Sequence, residues 1–163
     1  MLALLAMVVA ASAAHADIRP VLRQQGFGHP LNRRETITYA GRVRQGKSDY
    51  QIYSYHGVFR AANTDHGFNA LIVILNGSTF LGEYDIDDPE TCRARGQEIV
   101  CKADYPGRVI RFTKHGPPYE IWIDGDVDQM TFGNRVKASR CNEHGCSYLE
   151  KWAHAPWWKM KPM

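Results

Sequence analysis

Short runs of β-branched and aromatic residues, separated by turn-forming residues, make up most of the chain from Glu35 onward. Before Arg135, no apolar stripe with the 3.6-residue period of an amphipathic helix extends over a useful length. The pattern predicts strands over 36–44, 50–60, 68–75 and 78–86, with a turn at 45–48 and a polar loop at 61–67. The chain is therefore expected to be mostly β.

The most apolar stretch after the N-terminus, 68–75, runs into Asn76-Gly77. This dipeptide between two β-rich runs is a strong hairpin signal, because both central residues of a type I′ turn need positive φ. Apolar residues occupy both faces of the first arm: Leu71, Val73 and Leu75 on one, Phe68, Ile72 and Ile74 on the other. Such a strand is expected to be central and covered on both sides, which favours a barrel or a sandwich over an open sheet.

A second hairpin is predicted around Gly96-Gln97. If these residues form a two-residue loop, Arg95 lies opposite Glu98 and Cys92 opposite Cys101. Side chains of such a pair lie close together, so the register predicts a Cys92–Cys101 disulfide.

Two further strands, 108–113 and 119–124, are predicted to pair through the loop 114–118, and 127–132 is another strand. The expected fold is an antiparallel all-β meander that closes into a small barrel or sandwich. A C-terminal extension that carries a disulfide is expected to hold one short helix over 147–155, ended by Pro156.

The chain divides into four predicted segments. Residues 1–16 have an uncharged apolar run that ends in Ala14-His15-Ala16, which predicts a signal peptide cleaved before Asp17 and an exported protein. Residues 17–34 are interpreted as an irregular leader, 35–134 as the β domain, and 135–163 as a basic, Trp-rich extension packed on it. No later run is long and apolar enough for a membrane-spanning helix.

The net charge of +3 is unevenly distributed. Residues 17–47 carry seven Lys/Arg and two Asp/Glu (+5), 48–134 carry seven and thirteen (−6), and 135–163 carry six and two (+4). The basic ends either neutralise the acidic middle by packing on it or bind an anionic surface. Nucleic acid is not an expected partner.

The four cysteines form an even set, which in an exported chain predicts disulfides. Pairing Cys92 with Cys101 leaves Cys141 and Cys146 to close a small loop. A zinc site made of Cys141, His144 and Cys146, with His154 nearby, is the alternative, but its spacing matches no standard zinc pattern. No metal or other cofactor is expected.

His144-Gly145-Cys146 resembles the nucleophile triplet of the L,D-transpeptidases, exported β enzymes that act on peptidoglycan through a Cys thiolate. The resemblance implies that Cys146 is the nucleophile of a peptidoglycan-acting enzyme, with a His base and backbone donors for an oxyanion. It covers three residues, and Ser147-Tyr148 stands where that family has an Arg shortly after the Cys.

Two acidic clusters are candidates for calcium binding or for carboxylate catalysis on a glycan. One is Asp85, Asp87, Asp88 and Glu90, and the other is Asp124, Asp126 and Asp128. The second departs from the EF-hand pattern, because Gly125 follows the first Asp directly and Arg135 replaces the expected bidentate Glu. Solvated turns are the simpler explanation of both clusters. The sequence contains no serine-hydrolase elbow, phosphate loop or dinucleotide fingerprint.

The C-terminal tail combines aromatic and basic residues that favour binding of a sugar polymer or an anionic envelope component: Trp152, Trp157, Trp158, Lys159 and Lys161. The alternative is that these Trp residues cover an open end of the sheet. Together, these patterns predict a noncatalytic binding or interaction module of the periplasm or cell exterior, whose partner is an anionic envelope polymer or another protein. An enzyme that uses Cys146 or the Asp clusters is the alternative.

Overall fold

The computed structural model describes residues 17–29, 31–32, 34–61, 63–102, 108–113, 116–123, 126–133, 141–142 and 145–146. The elements before the disulfide hairpin are α1 (Arg19–Gln24), β1 (Thr36–Gln45), β2 (Ser48–Ala61), β3 (Thr64–Leu75), β4 (Thr79–Asp85) and a 3₁₀ turn (Pro89–Thr91). Those that follow are β5 (Cys92–Arg95), β6 (Glu98–Cys101), β7 (Arg108–Arg111), β8 (Glu120–Ile123), β9 (Asp126–Gln129), β10 (Thr131–Phe132), β11 (Cys141–Asn142) and β12 (Gly145–Cys146). The described part of the chain is thus mostly antiparallel β, as predicted.

The largest sheet has the strand order β1-β2-β3-β4-β10, so β3 is its central strand. One face of β3 carries Leu71 and Val73 into a core that also contains the β5–β6 hairpin. The other face carries Ile72 and Ile74 into a second core, formed with the residues before β1. The prediction of a central strand buried on both sides is confirmed.

The turn between β3 and β4 explains why this hairpin was predictable. Asn76 and Gly77 both adopt positive φ, 50° and 72°. The side chain of Asn76 adds a non-local contact, because its Oδ1 accepts a hydrogen bond from the backbone N–H of Asp49 at 3.0 Å. The same residue therefore forms one turn and stabilises the start of β2.

The β5–β6 hairpin has the predicted register. Arg95 lies opposite Glu98 and Cys92 opposite Cys101. The Cα atoms of the two cysteines are 3.8 Å apart and their sulfurs are bonded. Both cysteines are buried against the first core, so the disulfide is a part of that core.

Several boundaries differ from the sequence prediction. The predicted polar loop 61–67 is mostly strand, since β3 begins at Thr64 and pairs with β2 down to Ala61. Exposure, rather than loop structure, explains its polar character. The leader 17–34 was predicted to be irregular, but it contains α1 and buried apolar side chains.

The predicted hairpin of 108–113 with 119–124 is wrong. β7 pairs with β6, and β8 pairs with β9. An isolated antiparallel bridge joins Thr113 to Gly116, and no ladder joins β7 and β8 among the described residues. The predicted strand 127–132 is likewise divided at Met130, because β9 pairs with β8 whereas β10 pairs with β4.

Pairing among the described strands does not close a barrel, because β1 and β10 each have one partner in their sheet. Closure into a barrel or sandwich stays a prediction. None of the described helices has the length and apolarity to cross a membrane.

In the C-terminal extension, β11 and β12 place Cys141 directly opposite Cys146, as a disulfide around a small loop requires. Residues 1–16 and the predicted helix 147–155 lie outside the described residues.

Candidate functional site

The leader covers one face of the five-stranded sheet. Leu22 of α1 is fully buried, and Phe27 makes edge contacts with the rings of Tyr55 and Phe80, with centroids 4.9 and 5.7 Å away. Pro20 in the first turn of α1 is well suited to a helix start, where an N–H donor is not needed. Apolar contact therefore holds this segment on β2 and β4.

Gln25 fixes the position of the leader along β4. Its side chain is buried, its Nε2 donates to the carbonyl of Ser78 at 2.8 Å, and its Oε1 accepts from the N–H of Phe80 at 2.9 Å. Because both ends of the amide are satisfied, burying Gln25 adds positional specificity without an unpaired polar group.

A cavity of about 320 Å³ opens between α1 and the segment that precedes β1. This volume lies in the lower part of the range of small-molecule sites, roughly 300–1,000 Å³. Its lining combines two cations, one carboxylate, one amide and one aliphatic side chain: Arg19, Arg23, Glu35, Asn32 and Leu31.

Glu35 and Arg19 form the fixed side of this cavity. Arg19 Nε donates to Glu35 Oε1 at 2.8 Å, and Arg19 Nη1 donates to Asp17 Oδ1 at 3.0 Å. Only 3% of the Glu35 side chain is exposed. Hydrogen bonds to Glu35 and Asp17 raise the pKa of Arg19 above its usual value, so this cation is held in place and largely compensated.

Two polar groups of the cavity retain bonding capacity, and a third is enclosed. Glu35 Oε2 is buried and accepts no hydrogen bond from the described residues. Among the described residues, Arg23 makes no ion pair or hydrogen bond through its guanidinium. Asn32 uses its Oδ1 to accept from the N–H of Arg34 at 2.7 Å, which leaves its Nδ2 as a donor. A buried acceptor without a partner is energetically costly, but this oxygen has almost no accessible surface, so the groups that the cavity offers to a ligand are those of Arg23 and Asn32.

A second polar contact joins the leader to β4. His29 stacks on Phe68, with centroids 3.3 Å apart, and its Nε2 lies 3.1 Å from Glu83 Oε1. Glu83 belongs to β4, but it faces the leader side of the sheet because its register partner is Ile72. The remaining oxygen of Glu83, Oε2, is buried without a hydrogen bond.

The His29–Glu83 contact has the geometry of an ion pair, but burial disfavours the charged form of each group. Burial, with a smaller contribution from the charge of Asp85, raises the pKa of Glu83 to about 8. Burial also lowers the pKa of His29, an effect that Asp85 partly offsets. Both shifts favour the uncharged forms of the pair, a carboxylic acid at Glu83 and a neutral imidazole at His29.

The phenol of Tyr55 is influenced by both carboxyl groups, those of Glu35 and Glu83. Burial and the charges of Glu35 and Glu83 raise the pKa of its phenol to about 12, so it stays protonated. The ring extends along its own strand over Gly57, where an added Cβ would lie 2.0 Å from Tyr55 Oη. Only glycine leaves room for the ring at this position.

The structure describes part of the sites predicted from sequence. Asp85, Asp87, Asp88 and Glu90 are all exposed, as expected for a solvated turn. Asp124, and the side chains of Asp126 and Asp128, lie outside the described residues, as do His144, the side chain of Cys146 and the zinc alternative. Within the described part of the chain, no three His, Cys, Asp or Glu side chains converge as a metal site would require.

The predicted binding residues of the C-terminal tail also lie outside the described residues: Trp152, Trp157, Trp158, Lys159 and Lys161. Their role stays a prediction.

Sequence reasoning missed the cavity and the His29–Glu83 contact. One sequence feature pointed to each of them. Arg19 and Arg23 are four residues apart in the most basic segment of the chain, and Glu83 is a charged residue at an inward-facing position between Leu81 and Tyr84.

No protein-family model, curated protein or solved structure matches this chain at a significant level.

Proposed function

We propose that this protein is an exported, noncatalytic binding module of the cell envelope, and that the cavity between α1 and β1 is its ligand site. The observation that carries the proposal is the cavity, which gathers the guanidinium of Arg23, the amide of Asn32 and the apolar side chain of Leu31 around one opening. Among the described residues, Arg23 makes no ion pair or hydrogen bond through its guanidinium, so it is available to an anionic group of a ligand.

Two features support export. The Cys92–Cys101 disulfide is typical of oxidising compartments, and the apolar N-terminal run with Ala14-His15-Ala16 predicts a cleaved signal peptide. A noncatalytic role is favoured because the cavity offers binding groups without a nucleophile beside a base.

Cosedimentation with peptidoglycan sacculi, and affinity electrophoresis in gels that contain alginate or dextran, test the proposal. We expect at least one polymer to retain the protein, and Arg23→Gln to weaken retention. Arg95→Gln, an exposed arginine of the β5–β6 hairpin, is the matched control and should bind normally. The proposal is wrong if no polymer retains the protein, or if Arg23→Gln and Arg95→Gln are retained equally.

The enzyme alternatives require a separate measurement on the same mixtures. We expect no new reducing ends and no change in peptide cross-links after incubation. Thiol titration of the native and denatured protein should detect no free cysteine at Cys146. A reactive thiol there, with altered cross-links, would favour the peptidoglycan-acting enzyme instead.

A further inference from the structure

The leader packs on the sheet as a separate layer. Its buried apolar side chains, Ile18, Leu22 and Phe27, belong to the second core, whereas the described residues of the first core include none from 17–34. α1 has six residues, fewer than an isolated helix needs to be stable in water, so it depends on contact with the sheet. Release of the leader would therefore unfold α1 and open the second core without opening the first.

A buried polar pair spans the boundary between the leader and the sheet. His29 Nε2 lies 3.1 Å from Glu83 Oε1, and only 6% of the Glu83 side chain is exposed. The other oxygen of Glu83, Oε2, is enclosed and has no hydrogen-bond partner among the described residues. One proton between the two side chains leaves this pair without net charge. Loss of that proton leaves a buried carboxylate that a neutral imidazole cannot compensate.

The other groups around Glu83 do not supply a compensating charge. Among the described residues, His29 is the only basic group within ion-pair distance of this carboxyl. Asp85, on the same face of β4, is exposed and adds a second negative charge. From β2, the phenol of Tyr55 stays protonated, because burial and nearby carboxylates raise its pKa to about 12. The register partners of Glu83 on β3 and β10 are the uncharged Ile72 and Thr131.

We propose that His29 and Glu83 form a pH-sensitive switch, which holds the leader on the sheet while the pair retains one proton and releases it when that proton is lost. The geometry assigns the switch to these two residues, because they join the two layers at a place where neither side chain is fully solvated. Four of the five residues that line the cavity belong to the leader, so its release would also dismantle the proposed ligand site. The switch itself does not depend on a ligand.

The direction of the pH effect follows from the protons bound in each state. In the released leader both side chains are solvated, and their pKa values return to 4.5 for Glu83 and 6.5 for His29. In the docked state, burial raises the pKa of Glu83 to about 8. Docking therefore takes up one proton between about pH 6.5 and about pH 8, and it weakens as the pH rises through this range. Below about pH 6.5 the released His29 binds a proton of its own, so the dependence on pH levels off.

Amide hydrogen exchange of the disulfide-bonded protein measures release of the leader. The N–H groups of Leu22 and Phe27 donate within the leader, to the carbonyls of Ile18 and Leu22, so they exchange when α1 unfolds. After correction for the intrinsic rates, we expect their protection factors to fall about tenfold between about pH 6.5 and about pH 9. They should also stay below those of Ile72 and Val73 in β3. Equal protection in the leader and in β3, or leader protection that is independent of pH, would overturn the switch.

Glu83→Gln is the first variant, because it retains the size of the protonated carboxyl but has no proton to lose in this range. We expect it to abolish the pH dependence of leader protection. The exposed Glu90→Gln is the matched control and should behave as the parent protein. If the dependence persists in Glu83→Gln, this carboxyl is not part of the switch.

His29→Gln is a second variant, which decides the matter even if Glu83→Gln does not fold. It removes the group that binds a proton in the released state, while Glu83 stays buried. Leader protection should then fall from about pH 4.5 upward, rather than only above about pH 6.5. A fall that still begins at about pH 6.5 would show that His29 does not take part.

Discussion

The protonation of Glu83 couples the stability of the fold to pH. Its folded pKa is raised from 4.5 to about 8, so the folded protein holds a proton there that the unfolded chain releases. Linkage then requires this contribution to stability to be full below the unfolded pKa and to fall as the pH rises towards about 8. His29 acts in the opposite sense, because its lowered pKa makes its contribution increase with pH up to its unfolded value.

Below about pH 6.5 the titrations of Glu83 and His29 change the free energy of unfolding in opposite directions. Above that pH only the titration of Glu83 changes it. We therefore expect the free energy of unfolding to fall between about pH 6.5 and about pH 8, with a slope on the order of 1 kcal/mol per pH unit. Glu83→Gln, which stays neutral, should remove most of this slope. Urea denaturation across that window measures it, with the exposed Glu90→Gln as control. An unchanged slope in Glu83→Gln would contradict the assignment.

Gly57 offers a steric test of the packing around Tyr55. In Gly57→Ala the new Cβ would lie 2.5 Å from Tyr55 Cζ, and Tyr55 is fully buried and cannot move without disturbing the core. We expect a loss of about 1–3 kcal/mol in unfolding free energy, as for other overpacked sites.

Gly67 provides the matched control, since it lies on the same hairpin and an added Cβ there has no atom within 4 Å. Gly67→Ala should therefore change stability by less than about 0.5 kcal/mol. Equal losses in the two variants, measured by urea denaturation, would show that the Tyr55 contact is not the cause.

At the scale of elements, the disulfide hairpin shares the first core with the larger sheet. The Cys92–Cys101 bond closes a short loop, with a sequence separation of 9, and it lies beside β1. Replacing both cysteines with alanine should cost about 2–3 kcal/mol by the chain-entropy argument, without loss of the β-sheet. Thermal melts followed by circular dichroism measure both quantities.

Peptide mapping of the nonreduced protein provides the covalent check on that hairpin. It should yield one peptide pair that links Cys92 to Cys101. A fragment that links Cys92 to Cys141 or Cys146 would contradict the register of β5 and β6.

The β3–β4 and β5–β6 hairpins could be predicted because a few adjacent residues specify each turn. Asn76-Gly77 requires positive φ at both positions, and Gly96-Gln97 sets the Cys92–Cys101 register directly. The partner of β7 could not be predicted in this way. Turn-forming residues occur on both sides of it, at 103–107 and at 114–118, and neither segment alone specifies which neighbouring strand it pairs with.

The leader illustrates why the candidate site was missed. Its helix has six residues, too few to display a period, and its position depends on contacts made far along the chain. Gln25, for example, binds the backbone of Phe80, 55 residues away. The cavity is lined by side chains of the leader and by Glu35, and the docking of the leader on the sheet, which helps to position them, is not specified by any local pattern.

At the scale of the whole molecule, the uneven charge distribution had two explanations: the basic segment 17–47 either packs on the acidic middle and is neutralised, or binds an anionic surface. Both apply to different arginines. Arg19 is compensated within the same segment by Asp17 and Glu35, and Arg34 lies 3.7 Å from Asp65 of the acidic middle. Arg23 makes no ion pair among the described residues, although its charge contributes to lowering the pKa of the Asp17 carboxyl. The leader therefore neutralises part of its charge on the fold and places Arg23 at the lining of the cavity.

The most direct test is a titration of the ¹⁵N-labelled protein with D-glucuronate, followed by backbone and arginine side-chain NMR signals. We expect the largest shifts at Arg23, Asn32 and Glu35, with little change at the β5–β6 hairpin. The sugar's own signals should stay unchanged during prolonged incubation, as the proposed noncatalytic role predicts. Shifts confined to the indole signals of Trp152, Trp157 and Trp158 would instead locate binding on the C-terminal tail and contradict the assignment of the cavity.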